Sequence, residues 1–202
     1  MRNFVLSLLL ASFGAPLVAA QSTPRWATSI GASRDAFTGG STDTTSLPGS
    51  EVEVGPTARV AVEIGLTRAL GSWELSLGAG YAPGGLRAQA GAVLVEDGTS
   101  GIDRYRLALL VGRRIATLDR AELIALVGPG IDHWESSGTL RRTTLSGRAG
   151  LALRIPLGGL SFENRAMFGI GESPFHPSAL PPGATARSLR TWSLGAALRI
   201  PI

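Results

Sequence analysis

Apolar and polar residues alternate with a period of two in about eight short segments that follow the first twenty residues of the chain. The clearest lies at 57–67, where Ala58, Val60, Val62, Ile64 and Leu66 share one face and Thr57, Arg59, Ala61, Glu63, Gly65 and Thr67 the other. A helix would scatter these residues around its circumference, whereas an extended strand separates them. The same division sets Trp73, Leu75, Leu77, Ala79 and Tyr81 against Glu74, Ser76, Gly78 and Gly80. It sets Tyr105, Leu107, Leu109 and Val111 against Arg104, Arg106, Ala108 and Gly112. Further on, Leu145, Ala149, Leu151, Leu153 and Ile155 oppose Ser146, Arg148, Gly150 and Arg154. Leu160, Phe162, Ala166, Phe168 and Ile170 oppose Ser161, Glu163, Arg165 and Gly169, and Trp192, Leu194, Ala196, Leu198 and Ile200 oppose Ser193, Gly195 and Arg199. A first strand at 26–33 and a fifth at 121–131 complete the set; in the fifth, Ile124 and Leu126 make both faces apolar.

The connections are of two kinds. Residues 34–56, 83–101, 132–142 and 172–187 form long stretches rich in Gly, Ser, Thr, Pro and charge, while 69–72, 114–120 and 156–159 are short. Alternating strands joined in this way predict an all-β fold, an eight-stranded antiparallel up-and-down transmembrane β-barrel over residues 21–202. The short turns would then be periplasmic and the four long loops external and mobile. A soluble barrel also alternates, with its apolar face turned inward. Three features favour lipid. The polar face is rich in glycine, as a narrow lumen requires. Aromatic residues sit at the strand ends, Trp26, Trp73 and Phe162 at one boundary and Tyr81, Tyr105, Phe168 and Trp192 at the other. An alternating strand also closes the sequence. Asn164 alone interrupts the apolar face.

Residues 1–20 read as a cleavable signal peptide: Arg2, an apolar run from Phe4 to Leu10, and the small-residue site Val18-Ala19-Ala20 before Gln21. Export to a bacterial outer membrane is therefore expected. The chain has no cysteine, which excludes disulfides and thiolate chemistry, and its 19 basic residues are all arginine. The lysines of phosphate-binding loops and Schiff bases are thus absent. A formal charge of +4 and a pI near 10.8 point to lipid phosphates, which guanidinium groups bind bidentately, rather than to nucleic acid, for which no motif is present. No cofactor is expected.

This architecture resembles the small outer-membrane barrels of the OmpA transmembrane-domain and OmpX kind, over about residues 26–202. The resemblance implies a lumen plugged by side chains, insertion by the barrel-assembly machinery, and a role in adhesion, stability or lipid binding. The sequence ends Arg199-Ile200-Pro201-Ile202, where that family usually places an aromatic residue.

The inward face carries Glu63, Glu74, Glu122 and Glu163 with Arg59, Arg104, Arg106, Arg148, Arg154, Arg165 and Arg199. Charges in a water-poor lumen should pair, so these residues are expected to form an ion-pair network. A structural core is the first reading and a gated ion path the alternative, because eight strands leave little bore. Arg34, Arg87, Arg141, Arg142, Arg187 and Arg190 belong to the outer loops or their borders. Of these, Arg141, Arg142, Arg187 and Arg190 are candidates for contact with lipopolysaccharide phosphates. An ordinary solvated surface is the alternative. No catalytic residue and no metal ligand is assigned. His133, within Asp132-His133-Trp134-Glu135, lacks the accompanying motif of a hydrolase. His176 and Ser178, in Phe175-His176-Pro177-Ser178, resemble the histidine–serine pair of the lipid A deacylase family, another eight-stranded barrel, which would make them base and nucleophile. No carboxylate follows between Ala184 and Thr191 to orient the histidine, and Pro174, Pro177, Pro181 and Pro182 make the stretch a loop.

Overall fold

The computed structural model describes residues 25–43, 51–57, 59–97, 101–136 and 141–202; the leader expected at 1–20 and Ala58 fall outside the described residues. The first half of the chain forms β1 (Arg25–Thr38), β2 (Ser41–Asp43), β3 (Val52–Pro56), β4 (Arg59–Leu70), β5 (Trp73–Ala82), β6 (Leu86–Ala90) and β7 (Val93–Asp97). The second half forms β8 (Ile102–Leu118), β9 (Ala121–Ser136), β10 (Arg141–Leu157), β11 (Leu160–Gly171), β12 (Ala184–Ala186) and β13 (Leu189–Pro201). Eight of these close into a barrel in the order β1-β13-β11-β10-β9-β8-β5-β4. Every neighbouring pair is antiparallel, including β1 with β13, so no barrel edge is left open.

The period-two pattern decides which face looks out. On β4, Val60, Val62, Ile64 and Leu66 are exposed on the outside while Ala61 and Thr67 are buried inside. Leu77 on β5, Leu107 and Leu109 on β8, Leu151 on β10 and Leu194 on β13 continue the exposed apolar wall around the barrel. A soluble barrel would show the opposite polarity. At the loop end of this wall outward aromatic rings meet in tilted pairs, Tyr81 with Tyr105 at 5.1 Å and Phe168 with Trp192 at 4.7 Å, while Trp26 and Trp73 stand at the short-turn end. Asn164 faces outward among these apolar residues, and nothing in the structure explains it.

Three two-residue hairpins make the short-turn end. Gly71 and Gly158 open two of them at φ of 67° and 65°, the left-handed conformation that lets a tight turn follow the twist of its strands. Asp119 does the same work in the third at φ 56°. The expected connection 114–120 is therefore mostly strand: β8 runs to Leu118, with a bulge between Arg114 and Ala116. Glycine on the inner wall answers a need for close approach. At Gly128 on β9 a β-carbon would lie 1.9 Å from the carbonyl oxygen of Leu109 on β8.

The long-loop end departs most from expectation. Barrel strands reach beyond the predicted ends, β1 to Thr38 and β9 to Ser136, and carry residues assigned to loops into the wall. Three of the four loops are also ordered together. The first supplies β2 and β3, the second β6 and β7, and the fourth β12, in a five-stranded antiparallel sheet of order β12-β2-β3-β6-β7. The short segment 137–140 of the third loop is outside the described residues. The doubly apolar fifth strand also finds its reason: Ile124 and Leu126 of β9 point inward and pack with Ala108, Leu110, Ala152 and Met167.

Candidate functional site, an ion-paired lumen

Strand positions stack the inward residues in layers. Nearest the loop end, Phe37, Ile102, Trp134 and Leu189 form a buried apolar lid with Leu86 against it. Phe37 and Trp134 meet edge to face at 5.9 Å, and the indole N–H of Trp134 donates to Thr144 Oγ1 at 3.1 Å. Arg104 lies beneath, its guanidinium 5.3 Å from the Phe37 ring and 5.2 Å from the Trp134 ring. Both rings of the lid thus attract the one cation below them.

An upper network hangs from Arg104. Its guanidinium donates to Asp35 and to Asp132, each at 2.7 Å. Arg106 donates to Asp35 at 3.2 Å and to Glu63, which also accepts from the Ser33 hydroxyl. Ser146 donates to the second oxygen of Asp132 at 2.9 Å. Asp35 is 1% exposed, a position an unpaired carboxylate could not occupy without a cost of several kcal/mol.

Below the apolar layer of Leu110, Ile124, Leu126 and Met167 lies a second network. Glu163 accepts from Arg154 at 2.7 Å, Arg199 at 3.4 Å and Arg165. Arg154 also reaches Glu74 at 2.8 Å and Glu122 at 3.4 Å, and Arg199 reaches Glu74 at 3.5 Å. Arg114 closes the mouth by pairing with Glu122 at 2.7 Å. Lid, two ionic layers and an apolar layer thus occupy the lumen in series. Reconstituted in planar bilayers, the protein is expected to give no stable conductance steps; reproducible single-channel openings would contradict a lumen filled in this way.

The residues singled out from sequence are therefore brought together, with two exceptions. Arg59 is exposed at the loop end of β4, and its Nε donates to Thr57 Oγ1 at 3.2 Å instead of to a carboxylate. Arg148 is buried on β10 but has no carboxylate within 4 Å among the described residues. Asp35 and Asp132 were missed because both lie just past the predicted strand ends. The parity signal was present: Ser33, Asp35 and Phe37 continue the inward series of β1, and Gly130, Asp132 and Trp134 that of β9.

At the rim, Arg141 pairs with Glu135 at 2.9 Å and Arg187 with Glu51 at 2.8 Å. Arg142 turns inward, donating to the Phe175 carbonyl and lying 3.8 Å from Glu172. Arg34 and Arg190 stand on the outward face, on either side of Trp192, whose register partner is Ala36. The sequence-adjacent pair His176 and Ser178 does meet: Nδ1 and Oγ are 2.6 Å apart. That same Nδ1 accepts from the Ser178 backbone N–H at 3.2 Å, where His176 caps the short 3₁₀ turn Pro177–Ala179. The contact is accounted for as a cap. His133 bonds Thr143 across the strand pair at 2.9 Å.

No protein-family profile matches the chain, and no curated protein sequence is recognisably similar to it. Solved structures are similar in fold. The outer membrane protein AlkL, determined in lipid bilayers, shares 14% identity over 93% of this chain and 94% of its own, with a TM-score of 0.52. The attachment invasion locus protein Ail of Yersinia pestis shares 16% identity over 89% of this chain and 100% of its own, at a TM-score of 0.45. A major outer membrane protein of Thermus thermophilus shares 13% identity over 87% and 99%, at 0.49. The chain has the fold of the small eight-stranded outer-membrane barrels.

Proposed function

We propose that the chain is an integral outer-membrane protein without enzymatic activity, whose sealed barrel anchors a surface sheet that makes structural, adhesive or lipid contacts. The supporting observation is the polarity of the wall. A continuous exposed apolar surface surrounds an interior closed by paired charges, which suits a body immersed in hydrocarbon and not a passage through it. Short turns then face the periplasm and the five-stranded sheet faces outward. Export by a cleaved signal peptide and insertion by the barrel-assembly machinery belong to the same reading.

The lipid contact is assigned to lipopolysaccharide phosphates at the outer boundary. The rim arginines differ in fitness for that task. Arg141 and Arg187 are each paired with glutamate, and Arg142 is tied to the fourth loop. Arg190 and Arg34, one on each side of the Trp192 level, have no ion pair among the described residues and project at the aromatic boundary. Charge-assisted hydrogen bonds contribute about 1.5–3 kcal/mol each, so Arg34→Ala with Arg190→Ala should lower the lipopolysaccharide co-purified with the protein by at least about tenfold. Arg141→Ala with Arg142→Ala should lower it less. Unchanged lipopolysaccharide after removal of both pairs would remove this contact from the proposal.

A further inference from the structure

Among the described residues Arg148 is the one buried lumen cation with no carboxylate within ion-pair distance. Below the aromatic lid the described residues place six carboxylates in the interior, Asp35, Glu63, Glu74, Glu122, Asp132 and Glu163, and seven guanidinium groups, Arg104, Arg106, Arg114, Arg148, Arg154, Arg165 and Arg199. Six of the seven lie within 4 Å of at least one of those carboxylates, and each carboxylate is engaged. Arg148 is 7% exposed, has no such partner and donates no side-chain hydrogen bond among the described residues. Its register neighbours, Gly128 on β9 and Gly169 on β11, offer no side chain to meet it.

The guanidinium instead looks into internal space. Two adjoining cavities of about 30 Å³ each are lined by Arg148 together with Arg106, Arg165, Glu63 and Leu110. Each exceeds the roughly 10–15 Å³ a water-sized occupant needs. Among the described residues Glu63 is the only carboxylate on these walls, and it already accepts from Arg106 and from Ser33. Three guanidinium groups therefore share the space with one engaged carboxylate. An unpaired buried cation is expensive, and a local excess of positive charge in a low-dielectric site attracts an anion.

We propose that this cavity binds one small monovalent anion of the chloride type, held by Arg148 and completing the charge balance of the lumen. A multiply charged or bulky anion would overfill the space and reverse the imbalance. The site is separate from the rim and independent of any surface role.

Bromide serves as the probe. Crystals of the detergent-refolded protein grown in sodium bromide should show an anomalous peak at hydrogen-bond distance from the Arg148 guanidinium. Thermal midpoints in bromide should exceed those in gluconate at equal ionic strength by about 3 °C, and the difference should vanish in Arg148→Met. A lumen holding only water, or bromide confined to surface arginines, would overturn the proposal, as would a midpoint difference that persists in the variant. If Arg148→Met does not refold, the anomalous map of the unaltered protein still decides.

Discussion

Glu163→Gln should destabilise the barrel by about 3–5 kcal/mol, the usual consequence of removing one partner from a buried charge cluster. Glu163 is 1% exposed and accepts from Arg154, Arg165 and Arg199 at once, so its loss leaves Arg154 and Arg199 to Glu74 and the more peripheral Glu122 and strips Arg165 of its ion-pair partner among the described residues. The amide keeps the shape, so the effect is one of charge and not of volume. Urea titration of protein refolded into lipid vesicles, read by gel mobility with and without heating, measures it. Glu122→Gln is the internal comparison: it sits nearer the mouth, part-exposed, and should cost about 1 kcal/mol or less. Equal midpoints for Glu163→Gln and the unaltered protein would mean that the lower network is not what fastens these strands.

The second large effect is expected on the opposite face of the wall. Ile64, 59% exposed, lies halfway along β4 and is flanked in register by Ile30 and Ala79. In hydrocarbon, Ile64→Arg should cost about 2–4 kcal/mol, because arginine at the midplane must drag its charge toward a boundary. The same substitution at Leu70, beside the short-turn end, should cost about 1 kcal/mol at most. In water neither change would matter much. Refolding yield and urea midpoint in vesicles separate the two cases, and a harmless Ile64→Arg would argue against a lipid-facing wall.

Much of this architecture could be read from residue order alone, and the reason is geometric. A strand with lipid on one side and a crowded interior on the other allows no drift in its alternation, so Val60, Val62 and Ile64 name their face without ambiguity. The short connections at 69–72 and 156–159 were equally local, and the structure turns them at Gly71 and Gly158. Legibility failed where chemistry stopped being local. Ile124 and Leu126 obscured the fifth strand because an apolar layer crosses the lumen there, a fact stored in Ala108, Leu110, Ala152 and Met167 on other strands. Asp35 and Asp132 looked like loop residues since polar side chains are ordinary in loops, and only the continued parity of their strands tells otherwise. The outer sheet left almost no trace: Ser41–Asp43 and Ala184–Ala186 are too short to show a period and find each other only across the barrel mouth.

That last pairing has a consequence for how the exterior can vary. Because β2 is seated between β12 and β3, and β3 in turn supports β6, the segments crossing the mouth hold one another in place like courses in an arch. A change tolerated by one alone would unseat its neighbours, so substitutions there must travel together. Antibodies raised against the intact exterior should accordingly recognise an assembled surface and lose it when any one segment is excised, while the turn at Gly91, which joins only β6 to β7, remains the place to graft a foreign peptide.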